Sequence, residues 1–74
     1  MAKKIFVGEL SATTTLTSLN TAFSPWGTIV DSSMDPAGGG AQVEYSSDAE
    51  GDAAIANMNL TILDGNRITV VPVS

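Results

Sequence analysis

The sequence contains neither cysteine nor histidine, and only three of its 74 residues are basic. Without cysteine the chain cannot form disulfide bonds, and without cysteine and histidine it cannot build metal sites or catalysis on thiolate or imidazole groups. Lys3, Lys4 and Arg67 stand against eight carboxylates, which gives a formal net charge of −5. Because Lys and Arg neutralise nucleic-acid phosphates, so few cations exclude a broad basic groove and weigh against strong nucleic-acid binding.

Long apolar segments are also missing. No run approaches the ~20 residues that a membrane-spanning helix requires, and the chain enters a strand-like segment at Lys4 without a signal-peptide pattern. We therefore expect a soluble protein without a targeting signal or membrane partner, cytoplasmic if it is expressed in a cell. With 43% hydrophobic residues and a length typical of one domain, residues 1–74 are expected to form a single, monomeric domain.

The residues that are present follow the spacing of strands and helices in the order β-α-β-β-α-β. Alternating apolar residues predict strands at Lys4–Leu10, Thr28–Met34, Ala41–Tyr45 and Arg67–Val73. Capping residues and helical spacing predict helices within Ser11–Phe23, with Thr15 as N-cap, and within Ser46–Asn59. This order predicts an α+β, ferredoxin-like fold, in which two helices pack on one face of a four-stranded antiparallel sheet.

Four segments, which together run from Lys4 to about Val73, resemble the RNA recognition motif (RRM) family. They are IFVGEL (Ile5–Leu10), LTSLNTAFSPWGTIVD (Leu16–Asp31), SSDAEGDAAIANMN (Ser46–Asn59) and LDGNRITV (Leu63–Val70). The family's third-strand pattern, K/R-G-F/Y-G/A-F-V-x-F/Y, is the exception. Laid on Gly38–Tyr45, it lacks the cation at Gly38 and the aromatic residues at Gly40 and Gln42.

Strand geometry predicts which side of the third strand departs from the family. Successive side chains of a strand point to opposite faces, so Val43 and Tyr45 are expected to face the helices. Gly40 and Gln42 are then expected to face outward, where family members stack bases on aromatic rings. On the first strand Phe6 keeps the family's stacking position, beside Lys4 on the same face. The resemblance therefore implies a candidate nucleic-acid face composed of Lys4, Phe6, Gly40, Gln42, Arg67 and Thr69.

These departures leave three hypotheses for the function. Loss of two stacking rings and a cation removes on the order of 3–5 kcal/mol from RNA binding. The favoured interpretation is therefore an RRM-fold scaffold, designed or redesigned, with little or no RNA binding left. The alternative is a weak single-stranded RNA-binding RRM that uses Phe6 and Lys4. A second alternative is a protein-interaction module that uses Trp26 or the helical face.

Chemistry other than binding has little support in the sequence. The glycine run Gly38–Gly40 is not followed by the Lys-Ser/Thr pair of a phosphate-binding loop. Asp48, Glu50 and Asp52 lie at the start of the second predicted helix, where the helix dipole favours negative charge. We therefore predict no enzymatic activity, no catalytic or metal-binding residues, and no cofactor.

Overall fold

The computed structural model describes residues 1–73, and within them the predicted fold is confirmed. The strands are β1 (Lys3–Gly8), β2 (Ile29–Met34), β3 (Gly40–Tyr45), β4 (Ile62–Leu63), β5 (Asn66–Arg67) and β6 (Thr69–Pro72). The helices are α1 (Leu16–Phe23), followed by a 3₁₀ turn at Ser24–Trp26, and α2 (Asp48–Met58). Four strands form one antiparallel sheet in the order β2-β3-β1-β6, and β4 and β5 form a separate hairpin. Neither helix has the length and hydropathy that a bilayer crossing requires within the described residues.

Both helices begin at capping residues that the sequence supplies. The Thr15 hydroxyl accepts a hydrogen bond from the Ser18 amide at 3.1 Å, and the Thr15 amide donates to the Ser18 hydroxyl at 3.0 Å. This reciprocal pair satisfies two amides that have no partner inside the helix, and it confirms the predicted N-cap of α1. The α2 helix begins after Ser47, whose hydroxyl accepts from the Glu50 amide at 3.3 Å.

The hydrophobic core lies between the two helices and the face of the sheet that they cover, which we call the inner face. It consists of Ile5, Val7, Leu10, Leu19, Phe23, Ala41, Val43, Tyr45, Ala54, Ile68 and Val70. Tyr45 reaches furthest across it, and its hydroxyl donates a hydrogen bond of 2.6 Å to the Phe23 carbonyl. Burial, assisted by the charge of Glu50, raises the pKa of Tyr45 to about 12. The only polar atom of this side chain is thus neutral and satisfied within the core.

The segment after α2 differs from its prediction. The sequence indicates one strand over Arg67–Val73, whereas Arg67 belongs to β5 and the sheet strand β6 begins at Thr69. Asp64 and Gly65 adopt positive φ angles of 50° and 85° at the tip of the β4–β5 hairpin. The Asp64 carboxylate also accepts a hydrogen bond from the Thr14 hydroxyl at 2.8 Å. The hairpin is therefore tied to the segment that precedes α1.

Strand β2 forms one edge of the four-stranded sheet and is irregular at its start. Ile29 pairs with Tyr45 and Asp31 pairs with Glu44, so Val30 is an extra residue on the β2 side. Such a bulge bends the strand and increases its twist. After the bulge the regular pairing returns, and Ser33 lies opposite Gln42.

Candidate nucleic-acid interface

The side of the sheet opposite the helices, which we call the outer face, is composed of the alternate residues that do not enter the core. They are Lys4, Phe6, Gly8, Asp31, Ser33, Gly40, Gln42, Glu44, Thr69 and Val71. On β3, Val43 has no exposed surface whereas its neighbour Gln42 is exposed. The predicted orientation of the third strand is therefore confirmed.

Phe6 lies at the centre of the outer face. It pairs with Gln42 on β3 and with Val71 on β6. A Cβ atom added to Gly40 would lie 2.7 Å from the Phe6 Cζ atom, and one added to Gly8 would lie 3.2 Å from its Cε2 atom. The ring therefore extends along the sheet over the paired glycines. It remains partly exposed, while Gly40 is buried beneath it although it faces outward.

This ring position explains what replaces the missing aromatic residues. An aromatic side chain at Gly40, as the family pattern specifies, would require the Phe6 ring to move, because a Cβ atom there would lie 2.7 Å from the Phe6 Cζ atom. Gly8 and Gly40 have no side chains above the sheet, so the Phe6 ring extends over the area that a side chain at Gly40 would otherwise occupy. The outer face therefore retains a stacking platform of one ring.

The charges of the outer face are mixed. Lys4 is exposed and lies opposite Glu44, which in turn lies opposite Asp31 on β2. Lys3 is directed to the other side, where its Nζ atom lies 3.5 Å from the Asp52 carboxylate and its stem packs beside Gly51. The attraction of Lys4 for a phosphate is thus opposed by two nearby carboxylates, and Lys3 does not reinforce it.

The structure brings together five of the six predicted site residues. Lys4, Phe6, Gly40, Gln42 and Thr69 are neighbours on the outer face. Arg67 lies instead in the β4–β5 hairpin, outside the four-stranded sheet. The prediction did not include Val71 and Ser33, which pair with Phe6 and Gln42. The cross-strand register that identifies them is absent from the local pattern of the sequence.

Trp26, which the sequence suggested as a contact for a protein partner, belongs to the 3₁₀ turn after α1. It is partly buried and packs against the core. This position places the indole at the edge of the helical layer.

A cavity of about 310 Å³ opens beside Phe6, between the outer face and the β2–β3 turn. Its lining consists of Phe6, Ser33, Met34, Asp35, Pro36, Ala41 and Gln42. A second cavity, between Lys4 and the carboxylates of Asp31 and Glu44, has a volume of about 20 Å³. Only the first has the volume that a small ligand or a nucleobase needs.

The chain belongs to the RNA recognition motif family, whose sequence profile matches residues 5–69. It is 42% identical over 76 residues to the Glycine-rich RNA-binding protein 1 of Mycosarcoma maydis. That match covers 95% of this chain and 43% of the relative, so the chain spans less than half the length of that protein.

Solved structures of this fold are similar to the chain over most of its length. The RRM domain of S. pombe Puf1 superimposes with a TM-score of 0.90 at 19% identity, covering 99% of this chain and 90% of that one. The RRM3 domain of Gbp2 gives 0.85 at 24% identity, covering 93% and 73%. The C. elegans NONO-1 homodimer gives 0.84 at 27% identity, covering 90% of this chain and 27% of that chain.

These comparisons overturn the favoured interpretation of the sequence. The prediction of a designed or redesigned scaffold with little or no RNA binding is wrong, because the chain matches the family profile and a natural protein named as RNA-binding at 42% identity. The interpretation took the missing rings at Gly40 and Gln42 as a lost surface, whereas the Phe6 ring covers Gly40. The predicted family is confirmed, and the family match and this relative place the chain among non-enzymatic domains, as predicted.

Proposed function

We propose that this chain binds single-stranded RNA weakly through the outer face of its sheet, acting as a single monomeric domain. Phe6 stacks on one base and Lys4 contacts a neighbouring phosphate. The observation that carries the proposal is the partly exposed Phe6 ring at the centre of the outer face, with Lys4 two residues away on the same side. The name of the M. maydis relative, an RNA-binding protein, supports the same function.

The geometry favours single strands over duplexes. A base stacks on a side-chain ring only when it is unstacked from its neighbours, as in loops and single strands. The outer face is a sheet surface, and the Phe6 ring extends along it over Gly8 and Gly40 rather than projecting outward as a wedge. An unstacked base is therefore the part of RNA that fits this surface.

The same geometry predicts weak binding. One base stacked on an aromatic side chain contributes about 1–3 kcal/mol, and Lys4 is opposed by Glu44 and Asp31. A dissociation constant of about 1 mM corresponds to only about 4 kcal/mol. One stacked base, one phosphate contact and van der Waals contacts from Val71 and Thr69 account for an affinity on the order of 0.1–1 mM.

A titration followed by amide chemical shifts tests the proposal. The ¹⁵N-labelled chain is titrated at low salt with a mixed-sequence single-stranded RNA, and a duplex RNA of the same length is the control. We expect saturable shifts around Phe6, Gln42 and Thr69 with the single strand and much smaller ones with the duplex. Absence of shifts at millimolar RNA, or shifts confined to the helical side around Trp26, would show that the proposal is wrong.

The two adjacent lysines provide a matched pair of variants. Lys4→Gln and Lys3→Gln change the net charge equally, but only Lys4 lies on the outer face, whereas Lys3 pairs with Asp52. Lys4→Gln is expected to weaken RNA binding severalfold and to reduce the slope of log affinity against log salt by about one. Lys3→Gln is expected to leave that slope nearly unchanged. Equal effects would mean that overall charge, and not this face, governs binding.

A further inference from the structure

We propose that the cavity beside Phe6 selects guanine, and that Asp35 and Gln42 are the residues that determine this preference. The inference rests on the proposed function, because the base must first stack on Phe6. The cavity shares the Phe6 ring with the stacking platform and has a volume of about 310 Å³. A base stacked on the ring therefore lies beside the cavity lining, and a single base is the occupant that fits.

The lining separates into an apolar part and a polar part. Phe6 and Pro36 supply apolar surface for the flat faces of a ring, while the Met34 side chain packs against the core. Ser33, Gln42 and Asp35 supply the polar groups, and Ser33 lies directly opposite Gln42 in the β2–β3 register. An apolar pocket with a few placed polar groups is the usual form of a site that orients one small ligand.

The Asp35 carboxylate is fixed in place by the β2–β3 turn. One of its oxygens, Oδ1, accepts a hydrogen bond from the Ala37 amide at 2.9 Å. Its backbone amide donates to the Gly40 carbonyl, and its carbonyl accepts from the Gly38 amide, both at 2.9 Å. Because these three bonds hold the residue without any ligand, little conformational freedom is lost when a base binds. An ionised carboxylate has about four acceptor positions, so it can accept further hydrogen bonds.

A carboxylate accepts hydrogen bonds and donates none, so it favours a base that presents adjacent N–H donors. Guanine presents two on its Watson–Crick edge, N1–H and the N2 amine, beside the O6 acceptor. The Gln42 amide, which both donates and accepts, complements O6. Adenine and cytosine place a ring-nitrogen acceptor beside their single amine, and uracil places carbonyl oxygens on both sides of its one N–H. Each of these would direct an acceptor at the carboxylate.

The negative charge at the cavity disfavours the phosphate group of a nucleotide. Asp35 lines the cavity, and Asp31 and Glu44 lie further along the same side of the outer face. The Asp35 carboxylate repels a phosphate group but not a neutral base, whereas Asp31 and Glu44 lie beside Lys4 and reduce its attraction for a phosphate. A neutral base is therefore the part of a nucleotide that enters the cavity.

The test uses short uridine-rich RNA strands that differ only at one central base, measured against the full chain by fluorescence anisotropy. We expect the strand with central guanine to bind about tenfold more tightly than those with adenine, cytosine or uracil, within the range for a good bidentate contact to a base. Inosine, which lacks the N2 amine, is expected to lose most of this advantage.

Two matched variants test whether Asp35 is responsible for the guanine preference. Asp35→Asn keeps a side-chain oxygen for the Ala37 amide, so the turn is preserved, but it removes the carboxylate. It is expected to reduce the preference for guanine to about twofold or less while the adenine strand binds at least as well as before. Asp31→Asn makes the same charge change outside the large cavity and is expected to leave the preference intact. Thermal melts of both variants check that they fold.

The outcomes separate this inference from the proposed function. Equal binding of all four strands, or an undiminished guanine preference in Asp35→Asn, overturns the selection of guanine and leaves RNA binding through the outer face intact. Absence of binding by every strand overturns both. Guanine preference that disappears in Asp35→Asn and persists in Asp31→Asn supports the inference.

Discussion

On the inner face of β1 and β3, Ile5, Val7, Val43 and Tyr45 have no exposed surface, whereas the outer face of the same two strands exposes Gln42 and Lys4 and part of the Phe6 ring. The inner residues touch one another and the helices, and even the Tyr45 hydroxyl has its partner within the core. The outer residues surround one ring, two glycines and a cavity.

The difference shows that stability and ligand binding are assigned to alternate residues of the same strands. Because successive side chains of a strand point to opposite faces, Ile5 and Phe6 are adjacent in sequence but contribute to different properties. The inner face determines whether the chain folds, and the outer face determines what the folded chain contacts. Substitutions at neighbouring positions therefore test the separation directly.

The largest expected effect is on stability and comes from the inner face. Ile5→Ala removes a fully buried side chain and is expected to lower the free energy of unfolding by about 2–5 kcal/mol. Phe6→Ala is expected to cost less than half as much, because the ring is partly exposed. Urea denaturation of both variants measures the difference. Similar losses of unfolding free energy would show that the outer face contributes to stability as much as the inner face does.

The next effect is on RNA binding and comes from the outer face. Phe6→Ala removes the stacking ring and is expected to weaken binding of single-stranded RNA by about 1–3 kcal/mol, roughly fivefold to 150-fold. Ile5→Val, a conservative change on the inner face, serves as the control and is expected to bind as the unmodified chain does. Fluorescence anisotropy measures both, and an unchanged affinity of Phe6→Ala would remove the stacking ring from the proposed interface.

A third effect concerns the pH dependence of stability. The pKa of Tyr45 is about 12 in the folded chain and ~10 in the unfolded chain, so the protonated phenol stabilises the fold. This contribution is complete below about pH 10 and is lost as pH rises toward 12. Tyr45→Phe removes the hydrogen bond to Phe23, at a cost of about 1 kcal/mol, and is expected to abolish this alkaline loss.

Ultraviolet absorbance provides an independent measure for Tyr45, because the chain contains one tyrosine. The phenolate signal should appear only as the chain unfolds or above about pH 11, given the raised pKa. Ionisation near pH 10 with the fold intact would show that the hydroxyl is more accessible to solvent than its burial indicates.

The smallest effect concerns the charges of the outer face. Glu44→Gln removes the carboxylate opposite Lys4 and is expected to strengthen RNA binding about twofold at low salt, with the gain fading as ionic strength rises. Asp48→Asn makes the same charge change on α2, away from the outer face, and is expected to have a weaker effect on binding. Equal gains would indicate that net charge alone is responsible.

Much of the fold could be predicted because local signals and the global arrangement agree. The alternation Ala41, Val43, Tyr45 gave the orientation of β3, and Thr15 marked the start of α1. The β4–β5 hairpin was not predicted, because in the sequence Arg67 continues the alternation of the last strand. In the structure the chain leaves that strand at Ile68, which lies between β5 and β6 and enters the core.

The candidate site was predicted less completely than the fold. The sequence placed Phe6 and Gln42 on one face, but the direction of the Phe6 ring depends on the space above Gly8 and Gly40, which only the cross-strand pairing reveals. The cavity depends on the turn that carries Asp35, and its lining comes from three separate segments. The prediction of a designed chain was wrong because missing aromatic residues describe the composition of a surface and do not show whether a chain is natural.

The bulge at Val30 has a consequence for how copies of this chain behave in concentrated solution. An edge strand with a regular row of free amides and carbonyls is a template on which another chain can add a strand, and this is a common route to aggregation. The net charge of −5 adds a repulsion between copies, which salt screens. The kink between Ile29 and Asp31 interrupts that row on β2, and it therefore hinders fibrillar growth along this border of the sheet.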